Sequence, residues 1–225
     1  MPPIDITTTG SATIARPAER AILTITIKDN GPDATTVTNN VVTRTNQIKQ
    51  ILEPLNAKTE SGSLAPHAAI THFSMGSLSK FTYNTYNNNS EITGKEQHVS
   101  ITFEVKFQDF NVLSSVATEL SGMQFVEIRG IDWKLTDATR DSLQTQVREM
   151  AGKDAFSRAL DYARTFGKRA IDAVEISEGE GGHPGFGVQR RFMMARQSSE
   201  EPPQLEFQPE DVEMRAQVTV KFITN

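Results

Sequence analysis

Four histidines are the first candidates for chemistry, because imidazole binds metals and exchanges protons near neutral pH. They are His67, His72, His98 and His183. The first two are five positions apart, which is not the spacing of a helical metal pair. His72 and His98 fall in strand candidates and could meet on adjacent strands, where a carboxylate would complete a metal site. Solvent-facing or hydrogen-bonded histidines are the simpler interpretation, and we expect no metal site.

Two carboxylate pairs are candidates for acid–base catalysis. Asp132 with Asp137, or Glu175 with Glu178, could transfer protons if each pair were buried together. The chain has 28 Asp and Glu against 23 Lys and Arg, so exposed carboxylates are the simpler interpretation. The sequence also lacks a nucleophile elbow, a Walker loop, an HExxH motif and an EF-hand loop. We therefore expect no catalytic residue.

A glycine-rich stretch at residues 179–185 (GEGGHPG) superficially resembles a phosphate-binding loop. Pro184 occupies the third glycine position of the dinucleotide fingerprint, where helix and strand must approach closely. A hairpin or linker is the better interpretation, and we expect no cofactor.

One basic and apolar segment stands out in an acidic chain. Arginine, phenylalanine and methionine are common anchors at protein interfaces. Two interpretations stay open: the segment docks onto a neighbouring subunit or partner, or it packs back on its own domain. Its proposed contact residues are Arg190, Arg191, Phe192, Met193, Met194 and Arg196.

Composition excludes several classes of protein. The chain has 225 residues and no cysteine, which rules out disulfides, thiolate metal sites and cysteine nucleophiles. A net charge of −5 argues against nucleic acid as a partner, since phosphate binding needs clustered Lys and Arg. No run reaches the roughly 18 apolar residues of a membrane helix, so we expect no transmembrane segment. The N-terminus lacks the pattern of a secretion signal, which predicts a cytoplasmic location, or a periplasmic or secreted one if a leader has been removed.

The elements that must position these residues follow from periodicity. We predict the order β-β-α-β-β-α-β-α-β-β, an α+β fold in which a largely antiparallel mixed sheet packs with three helices. We expect residues 178–210 to form a long flexible arm or loop within a single domain, 1–225. The predicted strands are 11–16, 21–28, 69–83, 98–107, 125–135, 170–177 and 215–223. The predicted helices are one that follows the cap residue Asp33 and runs to about Leu52, a short one capped near Asp109 or Asn111, and one over 138–167.

Several local features sharpen this prediction. Residues 84–96 are polar and rich in asparagine, which indicates an exposed turn. Gly122 occupies the position of a left-handed residue after a helix, and Gly130 indicates a β-bulge or bend. The long helix carries alanine every fourth residue, which predicts close packing against a sheet or helix. This seam consists of Ala151, Ala155, Ala159 and Ala163, and we expect Val147, Phe156, Leu160 and Phe166 to broaden its face.

In order and spacing, these segments resemble the SIMPL (DUF541) family. The opening run Thr9–Ile14, with Pro17 and the strand 21–27 after it, matches the family pattern G-x-A-x-V…P-D-x-A. The run GIDWKLTD at 130–137, the helix with Asp154-Ala155, and the closing strand 213–222 resemble three later motifs. Two features depart from the pattern: Pro209-Glu210 replaces the usual Pro-Gly, and the usual secretion signal is not seen.

The resemblance implies an α+β domain that self-assembles, and no established catalytic motif carries over to this chain. The family includes bacterial periplasmic immunogenic and oxidative-stress proteins and an animal protein that associates with a pelle-like kinase. We therefore expect a non-enzymatic homo-oligomer that binds protein partners, in stress response or signalling. The alternative is a small-molecule-binding protein or enzyme with a pocket between the sheet and the alanine-rich helix.

Overall fold

The computed structural model describes residues 2–57, 65, 68–88, 90–178 and 207–224. These residues contain eight strands and three helices, which confirms the predicted α+β class. In chain order they are β1 (Asp5–Pro17), β2 (Arg20–Gly31), α1 (Ala34–Leu52), β3 (Ile70–Met75), β4 (Ser79–Tyr86), β5 (Ile92–Phe107), α2 (Phe110–Ser121), β6 (Val126–Lys134), α3 (Asp137–Thr165), β7 (Ile171–Glu178) and β8 (Asp211–Thr224).

The chain forms two compact units, each with its own sheet. Unit 1 contains β1, α3, β7 and β8, and unit 2 contains the elements from β2 to β6. Every strand pairing in both sheets is antiparallel, as the alternating patterns predicted. That residues 1–225 act as one domain stays a prediction.

The sheet of unit 2 has the order β3-β5-β2-β6, and β4 also pairs with β5. Both β3 and β4 lie along the same edge of β5: β3 pairs with 103–107 and β4 with 92–100. Between them, the Gly76 N–H donates to the Thr102 carbonyl at 2.8 Å and continues the ladder. Residues 70–86 thus form one interrupted edge strand.

The core of unit 2 follows the two predicted periodicities. Alternate residues of β5 are buried from Val99 to Phe107, and Leu23, Ile25 and Ile27 of β2 are fully buried beside them. The buried face of α1 repeats at helical spacing, and its first turn is capped by Asp33, which accepts from the Thr36 N–H at 2.7 Å. The second helix of this unit, α2, also has a buried apolar face. The buried apolar residues of α1 and α2 are Val37, Val41, Ile48, Leu52, Leu113, Val116, Ala117 and Leu120.

In unit 1, α3 packs on the sheet β1-β8-β7 through the predicted alanine seam, whose four alanines are all buried. The approach to β1 is very close: a Cβ built on Gly10 would lie 2.1 Å from the Ala151 carbonyl oxygen. Thr8 also donates its hydroxyl proton to the Ala155 carbonyl at 2.8 Å. Only glycine at position 10 permits this distance, because any side chain would push the helix away.

The prediction was wrong about the region 69–96. Residues 69–83 do not form one strand, since β3 ends at Met75 and β4 begins at Ser79. The turn is shorter than 84–96, because strand structure continues to Tyr86 and resumes at Ile92. Residues on both faces of β4 are largely exposed, so the hydrophobic alternation that reveals a half-buried strand is weak here.

Two smaller expectations were also wrong. Gly122 has φ −81° and lies in the right-handed region, whereas Phe125, with φ 70°, takes the left-handed conformation. Phe156 and Phe166 do not broaden the buried face of α3, because 45% and 61% of their surfaces are exposed. The bulge at Gly130 is confirmed: the pairing of β2 with β6 shifts register at Thr24, where Arg129 is the extra residue.

Candidate functional site

The structure separates the histidines that could have formed a metal site. His72 lies opposite Lys106 on β5, eight positions from His98, which corresponds to about 26 Å along a strand. His67 and His183 lie outside the described residues. Within the described part of the chain, no group of three or more His, Asp or Glu side chains is placed to hold a metal.

The candidate acid–base carboxylates are all exposed. Asp132 lies on β6 and Asp137 in the first turn of α3, and neither is buried. Glu175 and Glu178 lie on β7, and Glu178 accepts from Arg148 Nε at 2.7 Å. The burial that acid–base catalysis would need is therefore missing at these four positions.

Two other sequence features lie outside the described residues. These are the glycine-rich stretch 179–185 and the contact segment containing Arg190, Arg191, Phe192, Met193, Met194 and Arg196. The role of that segment in assembly stays a prediction.

The described residues form two candidate binding surfaces, one in each unit. The first is a groove of about 400 Å³ in unit 1, between α3 and the strands β7 and β8. Its position is that of the pocket in our alternative interpretation, between the sheet and the alanine-rich helix. Its lining is mostly apolar and comprises Arg148, Ala151, Gly152 and Phe156 of α3, Ala173, Ile176 and Glu178 of β7, and Ala216, Gln217, Val218, Val220 and Phe222 of β8.

The second surface, which we call the aromatic hairpin, consists of β4 and residues 92–100 of β5. Four of its large apolar side chains are each more than half exposed: Phe81, Tyr83, Tyr86 and Ile92. Tyr86 and Ile92 fall in the stretch 84–96 that was interpreted as a polar turn, and Phe81 and Tyr83 fall in the predicted strand 69–83, to which no function was assigned. The alternation of Phe81 and Tyr83 with Lys80 and Thr82 was the available signal.

A small polar cluster supports the aromatic hairpin. Tyr83 packs edge-on against His98, with ring centroids 4.9 Å apart, and His98 Nε2 lies 3.4 Å from the Glu96 carboxylate. Glu96 also accepts from the side-chain amide of Asn30 on the neighbouring strand. Chiefly through the Asn30 contact, and with help from His98, the pKa of Glu96 lies below its ordinary value.

A third concavity in unit 2, of about 840 Å³, lies beside the N-terminus of α2. Its helix terminus is already capped, because Asp109 accepts from the N–H groups of Asn111 and Val112. Ser114 Oγ accepts a further hydrogen bond from the Phe207 N–H at 3.3 Å. These polar groups satisfy one another, so we do not assign a ligand to this concavity.

Comparison with known proteins assigns the chain to a family. The model of the SIMPL family, described as a protein of unknown function (DUF541), matches residues 6–222. The chain belongs to the SIMPL family. The match runs from β1 to β8 and so covers every described element, which confirms the resemblance drawn from the sequence. No curated protein matches this SIMPL chain.

SIMPL membership does not assign an activity, because the family is described as one of unknown function. None of the helices formed by the described residues combines the length and the apolar character needed to cross a bilayer. The aromatic hairpin and the groove are therefore the features from which a function must be argued.

Proposed function

We propose that this SIMPL protein is a non-enzymatic protein that self-associates, and that two copies meet through the aromatic hairpin. The observation that carries the proposal is the exposure of Phe81, Tyr83, Tyr86 and Ile92 on one hairpin. Phe81 and Tyr83 share one face of the hairpin, and Tyr86 and its cross-strand partner Ile92 lie on the other face. Large apolar side chains left in water on both faces of one hairpin are costly and are typical of an interaction site.

The backbone of β4 supports the same conclusion. Among the described strands, β4 pairs with β5 alone, so its other edge presents main-chain donors and acceptors. Natural edge strands are usually protected by charges, prolines or bulges. In β4 the sequence is SKFTYNTY, and Lys80 is its single charged residue. The outer edge of β4 is therefore only weakly protected against pairing with a further strand.

A second copy of the chain fits this edge. Antiparallel pairing of β4 with its equivalent is symmetric and closes as a dimer. A two-fold axis near Tyr83 would place the two Tyr83 side chains opposite each other, with one Phe81 two positions away on either side on the same face. The two Lys80 side chains would then be separated by six positions, about 20 Å, so their repulsion would be screened.

The experiment is the absolute mass in solution, measured by light scattering during size exclusion. We expect the natural chain to have a mass that is a multiple of 24.9 kDa, and the double variant Phe81→Ser/Tyr83→Ser to fall to a single chain. The matched control is Tyr162→Ser/Phe166→Ser, which removes the same two residue types from similarly exposed positions, one on α3 and one directly after its last residue. A monomeric natural chain, or an equal loss of mass in both variants, would contradict the proposal.

The biological setting is part of the proposal. Stress response or signalling, with a protein partner and a cytoplasmic or periplasmic location, is what the SIMPL resemblance suggests for such an assembly. Small-molecule binding in unit 1, the alternative function, does not depend on self-association.

A further inference from the structure

The groove of unit 1 is an opening between a helix and a sheet that diverge. Near β1, α3 is in contact through Gly10 and the alanine seam. Near β7, α3 does not contact the sheet as closely. Ile176 of β7 lies opposite the buried Val220 and on the same face of the sheet, yet 69% of the Ile176 surface is exposed. The sheet therefore presents an apolar face at β7 that the helix does not cover.

Small residues on both sides keep this space open. On the helix, a Cβ built on Gly152 would have no heavy atom of the described residues within 4 Å. On the sheet, Ala173 and Ala216 line the groove with a single methyl group each. The floor consists of larger side chains, and Phe156 packs edge-on against the buried Phe222 at 5.9 Å. Apolar walls with an unfilled centre are typical of a small-molecule site rather than of a packed core.

Charge determines which kind of molecule fits. Among the described residues, the charged side chains that line the groove are Arg148 and Glu178, and they pair with each other at 2.7 Å. Both are more than half exposed, which places the pair at the solvent side of the groove. A ligand therefore needs no charge, and a charged one would lose hydration against apolar walls or compete with an existing ion pair.

We propose that this groove binds a neutral, predominantly apolar small molecule. Its volume of about 400 Å³ lies at the small end of the range for ligand sites, which fits one compact apolar molecule. The site belongs wholly to unit 1, so the proposal is independent of the aromatic hairpin and of self-association.

The test compares two fluorescent probes on the full chain. N-phenyl-1-naphthylamine is neutral, and 1-anilinonaphthalene-8-sulfonate has the same skeleton with an added sulfonate. We expect saturable binding of one neutral probe per chain, with the anionic probe at least about tenfold weaker. Equal or stronger binding of the anionic probe, or no saturable binding of the neutral one, would overturn the proposal.

Variants locate the site. Gly152→Leu places a side chain in the open space and suits a helix better than glycine, so we expect the chain to fold and to bind the neutral probe at least about tenfold more weakly. Ala173→Leu fills the groove from the exposed strand and should act alike. Ser157→Leu adds the same side chain to an exposed position on α3 outside the groove and is the control. If both filling variants bind like Ser157→Leu, the groove is not the site.

Two other occupants would also overturn the proposal. Deletion of residues 180–206 would raise affinity for the neutral probe about tenfold or more if that segment filled the groove. A second copy in the groove would make probe affinity fall as protein concentration rises. We expect neither change.

Discussion

The backbone N–H of Ser11 donates a hydrogen bond to the Asp154 carboxylate at 3.0 Å. Ser11 lies on β1, at the edge of the sheet of unit 1, and Asp154 lies on α3 above it. The contact occupies a main-chain donor that a further strand would otherwise use. Unit 1 thus protects this edge with a helix side chain, whereas the outer edge of β4 in unit 2 pairs with no described strand.

The first prediction concerns the pH dependence of this contact. Hydrogen bonding from Ser11, with help from Arg158, holds the pKa of Asp154 below its ordinary value of 3.8. A carboxyl with a lowered pKa in the folded state stabilises the fold above its unfolded pKa, and this contribution disappears as pH falls through the folded pKa. We therefore expect Asp154→Asn to lower the melting temperature at pH 7, and the difference from the natural chain to shrink between about pH 5 and pH 2.

The control for that measurement is Asp161→Asn on the same helix. Asp161 is exposed and lies 3.7 Å from Arg164, and the described structure gives its carboxylate no main-chain donor. We expect a smaller effect at pH 7. A melting-temperature difference for Asp154→Asn that stays constant down to pH 2 would show that the carboxylate charge does not support this contact.

The second prediction concerns the close approach at Gly10. Gly10→Ala places a methyl group 2.1 Å from the Ala151 oxygen and 2.8 Å from the Ala155 Cβ, so α3 must move away from β1. We expect a loss of about 2–3 kcal/mol in the free energy of unfolding, measured by urea denaturation.

Gly152→Ala on the same helix is the matched control for Gly10→Ala. Its added methyl group meets open space, and alanine favours a helix, so we expect a gain of up to about 1 kcal/mol. Equal stability of the Gly10→Ala variant and the natural chain would mean that the helix does not approach β1 as closely as described.

The third prediction concerns the basic and apolar contact segment. If it contributes to assembly, replacing Arg190, Arg191 and Phe192 together should weaken the oligomer or its binding to a partner. Light scattering over a dilution series measures the change as a shift in the concentration at which the assembly dissociates. An unchanged mass and unchanged partner binding would show that this segment contributes neither to assembly nor to partner binding.

Sequence periodicity predicted most of the fold for a clear physical reason. Where a strand or helix has one buried face, as in β5, α1 and the alanine seam of α3, apolar residues recur at the period of the element. The aromatic hairpin was not recognised because both faces of β4 are largely exposed in the described structure, so no buried face imposes a regular apolar pattern. Phe156 was predicted to be buried, but it lines the groove. Helical spacing alone does not distinguish a residue that faces a groove from one that faces a core.

The candidate sites were less predictable. The general location of the groove followed from the alanine seam, since small residues mark where a backbone can approach another element. Its opening near Gly152 depends on the divergence of α3 from β7, which no local pattern encodes. The separation of His72 from His98 likewise depends on strand register, which periodicity leaves undetermined.

We propose that copies of the chain meet through the outer edge of β4. Amide hydrogen exchange of the natural chain, measured at several protein concentrations, tests it most directly, since pairing with a second copy protects main-chain N–H groups. We predict that amides of residues 79–86 become more protected as concentration rises, while those of 171–178, in the strand β7 at the edge of the described sheet of unit 1, do not change. Concentration-independent exchange in 79–86, or new protection in 171–178 instead, would contradict the account.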